Sequence, residues 1–527
     1  MFKISNLTIH LNNEISLEEA ISKKYRVNKK DVSIYRIIKK SIDARDQEDI
    51  KFIYSVYTNI KNYVIKKYDK NIVIDDNYEL KYLDPIKVNK KANVAIVGYG
   101  PCGIFSALNL SKAGVNVTVI ERGKKVEERI KDVEELFLNH TLNKESNVSY
   151  GEGGAGTFSD GKLNTGVNDK YAQVVYNEFV KYGANKEIIY DSHPHIGSDV
   201  LRNVLINIRK DLENKVNYLF EHTLIDLESK NNKVILTLKN KEEIIKKEYD
   251  YVILAIGHNP YETFKMLYDK GMQMEAKPFS MGVRIEHLQK NINMANYGRF
   301  YNHPSLKASN YKLAVHLKNG RSVYTFCMCP GGVVVPSQSD EESIVTNGMS
   351  YYARDKENAN SALLVNVTPL DYDNHPLGGF EFQRKYERKA YELSNSYKAP
   401  TQLVKDFLKD RVSTEFKSVK ASYYGGTVFR NLKDCLPDFV YESLKMALPK
   451  LNLSLKGFND PEAVLTGIES RSSSPTRMIR TNFESSLENV FVAGEGSGYS
   501  GGITTSAIDG IKCSNEIINR INDKNNI

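Results

Sequence analysis

Residues 93–123 read NVAIVGYGPCGIFSALNLSKAGVNVTVIERG, and this stretch decides the fold. The apolar run at 93–97 predicts a short strand that is buried on both faces. A helix with an apolar stripe should follow and end at Gly114, and a second strand is expected over 115–120 with Glu121 at its end. This order of strand, glycine-rich turn, helix, strand and acid is typical of a doubly wound α/β domain that binds a dinucleotide.

The glycines of this stretch form G-x-G-x-x-G, and each has a physical task. Gly98 permits the tight turn, Gly100 lets the backbone approach a pyrophosphate, and Gly103 lets helix and strand pack closely. Free N–H groups at the helix N-terminus then face the phosphates. Glu121 is placed to accept hydrogen bonds from an adenosine ribose, and an acid there argues against a 2′-phosphate. The predicted cofactor contacts also include three neighbours, Pro101, Cys102 and Arg122.

Length and composition bound the class of protein. The 527 residues predict about two to four domains, with 41% hydrophobic and 26% charged residues. The net charge of +8 is spread along the chain without a basic block interleaved with aromatics, so nucleic-acid binding is not indicated. Five cysteines do not suggest a disulfide framework. Because we find neither a secretory signal nor a window of about 18 apolar residues, we expect a cytoplasmic protein without a membrane span.

Three further segments extend the prediction over the whole chain. An N-terminal unit shows strands at 2–11, 32–40 and 50–60, a helix at 16–25 and a second helical turn near 63–68, in an order that resembles a ferredoxin-like α+β motif. We expect it to serve in docking or oligomerisation. The predicted domains are the N-terminal unit at 1–90, the first part of the cofactor domain at 91–265, an inserted α+β substrate or cap domain at 266–460, and the C-terminal part of the cofactor domain at 461–527.

Secondary structure within these units is predicted from periodicity. Alternating residues at 217–228, 233–238 and 242–249 predict three antiparallel strands, and 401–409 is expected to be helical.

Two more apolar strands end in glycine and point to the same ligand. The first ends at Gly257, where the chain must pass close to the cofactor. The second runs over 490–495 and delivers Glu495 to the carboxyl edge of the sheet, where an acid can hold the hydroxyls of a ribityl chain. The helix that follows can aim its positive end at a phosphate or flavin. NAD needs only the first motif, so FAD is the favoured cofactor.

These three segments resemble the flavin-binding domain of the glutathione-reductase-like flavoproteins, in which the last strand usually ends Gly-Asp rather than Gly494-Glu495. More narrowly, the chain is similar to a family of bacterial FAD-dependent dehydrogenases of unknown substrate. The residues that carry this likeness are GEGGAGTFSDGKLNT (151–165), HPHIG (193–197), KPFSMGVRIEH (277–287), CMCPGG (327–332), NANSALLVNV (358–367), SRSSSP (470–475) and AGEGSGYSGGITTSAIDG (493–510). The likeness implies FAD and redox chemistry, and it implies no substrate.

The glycine cluster at 151–165 should bring backbone N–H groups against the pyrophosphate or the edge of the flavin ring, although a surface loop is the simpler alternative. The predicted cofactor contacts outside the first motif are Gly153, Gly154, Gly156, Lys162, Leu163, Gly257, Gly494, Glu495, Gly501, Gly502 and Ile503.

Candidate catalytic residues are Cys327, Cys329 and His195. The two cysteines are spaced C-x-C in a predicted strand, so both side chains face either the flavin or the core, and ordinary core packing is an open alternative. His195 lies in a turn, where it could exchange a proton beside the flavin or make a structural hydrogen bond. No metal site can be assembled from the spacing of the remaining ligand types.

The sequence therefore predicts a cytoplasmic FAD-dependent oxidoreductase that acts on an unidentified small molecule by hydride transfer. No second G-x-G-x-x-G follows a strand, so NADH or NADPH would bind transiently over the flavin, or electrons would come from another donor. Two alternatives stay open: a flavoprotein that modifies RNA through its N-terminal unit, and a non-catalytic FAD-binding protein. The oligomeric state is left undetermined.

Overall fold

The computed structural model describes residues 1–13, 15–65, 69–76, 78–79 and 83–523. The strands, in chain order, are β1 (Phe2–His10), β2 (Val32–Asp43), β3 (Lys51–Ile60), β4 (Ile72–Ile74), β5 (Asn93–Val97), β6 (Asn116–Glu121), β7 (Val216–Phe220), β8 (Thr223–Lys230), β9 (Lys233–Asn240), β10 (Glu243–Tyr249), β11 (Tyr251–Leu254), β12 (Met274–Ala276), β13 (Phe279–Leu288), β14 (Ala314–His316), β15 (Ser322–Pro336), β16 (Thr346–Met349), β17 (Asn358–Val367), β18 (Ala399–Leu403), β19 (Thr427–Phe429), β20 (Val464–Glu469), β21 (Thr476–Met478) and β22 (Val490–Val492).

The helices are α1 (Leu17–Tyr25), α2 (Pro101–Ala113), α3 (Val126–Asn139), α4 (Tyr171–Lys181), α5 (Ser198–Leu212), α6 (Tyr261–Asp269), α7 (Gln289–Tyr297), α8 (Gly378–Ser394), α9 (Val404–Phe407), α10 (Asp438–Ser454) and α11 (Ile503–Asp523). Within the described ranges, no helix has the length and apolar character needed to cross a membrane.

A parallel sheet with the order β22-β11-β5-β6-β7 forms the cofactor domain. One face packs against α2, α4, α5 and α11, and the other is covered by α6 and the antiparallel sheet β8-β9-β10. The predicted strand, turn and helix at the first motif are confirmed, with Gly114 capping α2 in the left-handed conformation. The C-terminal strand and helix return to this domain as β22 and α11, as the sequence predicted.

The prediction of one antiparallel strand over 217–228 was wrong. The chain turns at Glu221, which has a φ of 58°, so β7 is the edge strand of the parallel sheet and only β8 joins the antiparallel one. Apolar residues alternate on both sides of this turn, and therefore periodicity alone does not reveal it. The helix expected at 401–409 was also wrong in part, because β18 pairs with β20 and only the four-residue α9 follows.

The second large sheet has the order β14-β15-β17-β13-β20-β18-β19, with β16 paired to β15. Its long strands β13 and β17 pair over their whole length, and α10 packs its apolar residues against one face. Strand β20 lies between β13 and β18 in this sheet. It follows residue 460, where the sequence suggested that the inserted domain ends. Polar side chains from β13, β17 and β20 meet on the other face.

The N-terminal sheet has the order β2-β3-β1-β4, and α1 packs against it. Each pair is antiparallel and β3 lies between β1 and β2, which is the split β-α-β arrangement. The predicted helical turn near 63–68 is not helical over 63–65, and residues 66–68 lie outside the described ranges. Lys40 of β2 exchanges backbone hydrogen bonds with Tyr190 and Ser192, so this sheet contacts the segment before His195.

Candidate functional site

Two helix N-termini point toward the same edge of the parallel sheet. Helices α2 and α11 lie side by side in the same direction, with Ser106 Oγ donating to Gly510 O at 3.1 Å and Asn109 Nδ2 donating to Ser514 Oγ at 2.8 Å. Ser106 lies five residues after the start of α2 and Gly510 lies seven residues after the start of α11, so the N-terminus of α11 extends about 3 Å beyond that of α2. The sheet edge therefore presents two positive helix ends side by side.

The glycine cluster connects these two helix ends. A Cβ on Gly154 would lie 3.1 Å from Gly100 Cα at the start of α2, and a Cβ on Gly156 would lie 3.3 Å from the Ile503 side chain at the start of α11. Gly153 N also donates to Tyr99 O at 2.8 Å. The structure thus brings together residues that the sequence separates by about fifty to four hundred positions, and close backbone approach explains the need for glycine.

Glu121 binds three backbone N–H groups at this edge of the sheet. Its buried carboxylate accepts hydrogen bonds from Tyr99 N at 2.8 Å, Gly123 N at 2.9 Å and Gly151 N at 2.9 Å. The neighbouring Arg122 pairs with Glu145 and stacks on the ring of Tyr150 at 4.1 Å from its centroid. Glu121 therefore orients the phosphate turn against the glycine cluster, and its contact with a ribose stays a prediction.

The strand ends of β11 and β22 meet at the same edge. A Cβ on Gly496 would lie 2.1 Å from Gly257 O, so the two chains touch through their backbones. Glu495 Oε1 lies 3.3 Å from Nδ1 of His258, and Gly494 N donates to Asp509 Oδ2 at 2.8 Å. The sequence analysis did not single out His258 or Asp509. His258 directly follows the predicted contact Gly257, and Asp509 lies within the segment 493–510 that carries the family likeness.

The available space and donors fit FAD. A Cβ on Gly257, Gly501 or Gly502 would meet no atom within 4 Å, so open space borders all three glycines. No side chain caps the first turn of α2, which leaves its N–H groups for a phosphate. A dinucleotide could contact α2 through its pyrophosphate and the start of α11 through its flavin.

A buried arginine that the sequence analysis missed holds the glycine cluster. Arg129 of α3 is fully buried, and its guanidinium donates to four backbone carbonyls and one hydroxyl of the segment 147–157, namely Asn147 O, Val148 O, Glu152 O, Gly154 O and Thr157 Oγ1. Burial lowers the pKa of Arg129 to about 9. Arg129 lies on the apolar stripe of α3 with Val126 and Val133, and an arginine on such a stripe is the signal that could have found it.

Glu152 supports the same segment from the other side. Its carboxylate accepts from Val126 N at 2.9 Å and from Arg209 Nε of α5 at 2.9 Å. Burial raises the pKa of Glu152 to about 7, although Arg209 acts in the opposite direction.

Lys162 and Leu163 link the cofactor edge to the second large sheet. Leu163 O accepts hydrogen bonds from Thr504 Oγ1 of α11 at 2.8 Å and from Tyr176 OH at 2.9 Å. Lys162, the residue before Leu163, extends its side chain toward β15. Its ammonium donates to Met328 O and lies 3.6 Å from Asp160 and 4.0 Å from Cys329 Sγ. One lysine side chain therefore spans the distance between α11 and the cysteine pair.

Cys327 and Cys329 lie in an irregular part of β15. Between Phe326 and Cys329 the register with β17 slips by one residue, and Cys327 has a φ of 44°. The predicted strand is present as β15, but a β-bulge interrupts it here, so the regular alternation that would place both cysteine side chains on one face does not apply. The two thiols nevertheless interact with each other, and Cys329 Sγ donates to Cys327 O at 3.3 Å.

Arg284 of β13 lies behind the cysteine pair. It is fully buried, forms a bidentate ion pair with Glu469 of β20, and donates to Cys327 O at 2.9 Å and Asn360 Oδ1 at 3.1 Å. A second buried pair, Asp160 with Arg354, flanks Lys162. These charges sit where the cofactor domain meets the second large sheet.

His195 is held in place near the same junction. Its Nε2 lies 3.1 Å from Tyr352 O, and its ring stacks on that of Tyr352. Burial and the nearby Arg354 lower the pKa of His195 to about 4. Because a neutral histidine with this hydrogen bond suits a structural role, the geometry gives little support to the proton-transfer hypothesis.

Comparison with known proteins agrees with this geometry. Residues 92–277 match the family described as pyridine nucleotide-disulphide oxidoreductase, residues 278–472 match the FAD-dependent protein, C-terminal domain-like family, and residues 1–58 match a domain of unknown function. An uncharacterized protein of Clostridium beijerinckii is 44% identical over 533 residues, which cover 98% of each chain. The chain belongs to this bacterial family of FAD-dependent proteins.

Solved structures similar to this FAD-dependent protein include the flavin-dependent halogenase CmlS, at 12% identity and a TM-score of 0.37, where the alignment covers 83% of this chain and 60% of that one. A flavoprotein/dehydrogenase from Cytophaga hutchinsonii aligns at 10% identity and a TM-score of 0.35, covering 82% and 78%. The predictions of FAD as the cofactor and of a flavoprotein oxidoreductase of unknown substrate are confirmed by the family. The individual FAD contacts and catalytic residues stay predictions.

Proposed function

We propose that this FAD-dependent protein is a dehydrogenase or reductase that transfers hydride between the flavin and a small-molecule substrate. The observation that carries the proposal is the junction between the start of α11 and the second large sheet, where Lys162 reaches from the cofactor edge to β15. A protein that used FAD only structurally would not need charged and thiol groups at this junction. The flavin supplies the hydride chemistry, and the protein positions and shields the reactants.

Residues in different parts of the site would have different roles in binding the cofactor and the substrate. The start of α2 and the glycine cluster would bind the pyrophosphate, and Gly501 and Gly502 would contact the flavin. Lys162 would place a positive charge at the inner end of the site, where it can orient an anionic or polar substrate. The side chain of Phe326, next to the cysteine pair, is 47% exposed and offers an apolar contact for the same substrate.

The electron donor would be NADH or NADPH, bound transiently. Support comes from the sequence, in which we find one dinucleotide motif, and FAD would occupy it. The test is anaerobic addition of each nucleotide to the purified holoprotein while the flavin absorbance is followed. We expect NADH or NADPH to bleach the flavin. Flavin that dithionite reduces but that neither nucleotide reduces would contradict a nicotinamide donor.

A further inference from the structure

Cys327 and Cys329 form a side-chain cluster that FAD binding leaves unexplained. Of the free cysteines, Cys327 alone is partly exposed in the described structure, and the others, Cys102, Cys329, Cys435 and Cys513, are buried. Attack on a disulfide requires a thiolate that the disulfide can reach, and resolution requires a second thiol close to the first. The partial exposure of Cys327 and the hydrogen bond from Cys329 Sγ to Cys327 O agree with these two requirements.

The backbone brings the two cysteines closer together than a regular strand would. Alternate residues of a regular strand have Cα atoms about 6.6 Å apart, near the upper limit for a disulfide. The left-handed φ of Cys327 and the bulge between Phe326 and Cys329 shorten this segment. A non-glycine residue in this conformation is strained, and such strain concentrates at functional sites.

The charges around the pair favour a thiolate on Cys327. Its pKa is held well below the ordinary value by the hydrogen bond from Cys329, and Lys162 and Arg284 act in the same direction. The pKa of Cys329 is raised in turn, because Cys327 takes the charge and burial disfavours a second one. Burial opposes the charge on Lys162, but Asp160 and the two thiols hold its pKa above the ordinary value. The remaining acid that faces the pair, Glu469, is engaged by Arg284.

We infer that Cys327 and Cys329 are a redox-active dithiol that reduces low-molecular-weight disulfides, with Cys327 as the attacking thiolate and Cys329 as the resolving thiol. Cys327 Sγ attacks one sulfur of the substrate, forms a mixed disulfide and releases the first thiolate. Cys329 Sγ then attacks Cys327 Sγ, forms the internal disulfide and releases the second thiolate, which takes up the proton of Cys329. Two cysteines lose two electrons and two protons, and one disulfide becomes two thiols.

The substrate class follows from access. Cys327, the thiol that attacks the substrate, is only partly exposed, so a small disulfide can reach its sulfur atom more easily than a disulfide inside a folded protein can. Metal binding does not explain the pair, since no group of three His, Cys, Asp or Glu in the described residues is arranged to hold an ion. This inference goes beyond the proposed function, because one round of disulfide reduction by the two thiols does not require hydride transfer by the flavin.

The first test is a redox titration of the holoprotein in anaerobic glutathione buffers, followed by acid quenching, alkylation, trypsin digestion and mass spectrometry. The peptide 322–354 contains Cys327 and Cys329 as its only cysteines. We expect this peptide to lose both alkyl groups together and to become two hydrogens lighter as the buffer becomes oxidising. Two alkylated cysteines at every ratio, or a stable glutathione adduct without the internal disulfide, would overturn the inference.

Single substitutions separate attack from resolution. In Cys329→Ser we expect the glutathione adduct to accumulate on Cys327, and in Cys327→Ser we expect no adduct on Cys329. Cys435→Ser, which removes a buried thiol outside the cluster, serves as the matched control. Retained flavin absorbance and circular dichroism verify folding, and an adduct on Cys329 as rapid as that on Cys327 would contradict the assigned roles.

Lys162 is the positioning residue, and its test is a pH profile. For Lys162→Met we expect the midpoint of iodoacetamide alkylation of Cys327 to move up by about one pH unit or more, with the rate at pH 7 falling about tenfold. Lys162→Arg should restore most of the shift, because it keeps the charge. An unchanged midpoint in folded Lys162→Met protein would show that the lysine does not stabilise the thiolate and would overturn this part of the account.

Discussion

Gly501 is a residue at which cofactor binding and folding can be separated. It is exposed at the start of α11, and a Cβ there would meet no protein atom within 4 Å. A side chain should therefore be tolerated by the folded chain but should fill space that we assign to FAD.

For Gly501→Val we expect the Kd for FAD to rise about tenfold or more, which corresponds to about 1.4 kcal/mol, with little change in the stability of the apoprotein. Fluorescence titration of the apoprotein with FAD measures the first quantity, and urea unfolding measures the second. Gly166→Val is the matched control, because Gly166 also borders open space but lies outside the predicted site. Equal FAD affinity in the two variants would place the cofactor elsewhere.

The protonation of Glu152 predicts how the stability of the folded protein depends on pH. Its pKa of about 7 exceeds the ordinary value of 4.5 because of burial, so the folded protein binds this proton more tightly than the unfolded chain. The resulting stabilisation is fully present below about pH 4.5 and is lost as the pH rises toward 7.

In Glu152→Gln, which cannot ionise, we expect the decrease in the free energy of unfolding between pH 4.5 and pH 7 to be smaller than in the wild type by up to about 3 kcal/mol. Urea unfolding at both pH values measures this difference. Glu128→Gln, on the exposed side of α3, should behave as the wild type. The same pH dependence in both variants would contradict the assigned protonation of Glu152.

Helix α3 shows how one element positions the predicted site through a single buried side chain. The five hydrogen bonds of Arg129 fix the glycine segment that spans α2 and α11. Removing this guanidinium leaves buried carbonyls unpaired, and an unpaired buried polar group costs about 1 to 3 kcal/mol.

For Arg129→Met we therefore expect a loss of about 3 to 5 kcal/mol of stability, together with weaker FAD binding. Thermal unfolding and the flavin content of the purified protein test both effects. Lys131→Met changes an exposed lysine of the same helix and should leave both quantities unchanged. If Arg129→Met retained wild-type stability and flavin content, the scaffold role of α3 would be wrong.

Element by element, local signals were predictable and long-range ones were not. The turn from β5 to α2 was predicted because its glycines, helix stripe and cap are adjacent in sequence. The division between β7 and β8 depends on which sheet each strand joins, and the bulge at Cys327 depends on pairing with β17. Neither property is encoded in a short window, so both were missed.

At the scale of the whole molecule, three sheets are arranged around one edge. The parallel sheet supplies the helix ends, the second large sheet supplies Arg284 and the cysteine pair, and the N-terminal sheet contacts the segment before His195. The sequence predicted the cofactor and the residues of its first motif. The grouping of Lys162 with Cys329 could not be predicted, because it requires the packing of two separate sheets.

The central claim is that FAD binds along this edge, and the visible spectrum of the purified protein tests it most directly. We expect the two absorption bands of an oxidised flavin, and mass spectrometry of the heat-released cofactor should identify FAD. Gly501→Val should carry less of it than Gly166→Val. A colourless protein that cannot be reconstituted with FAD would contradict the account.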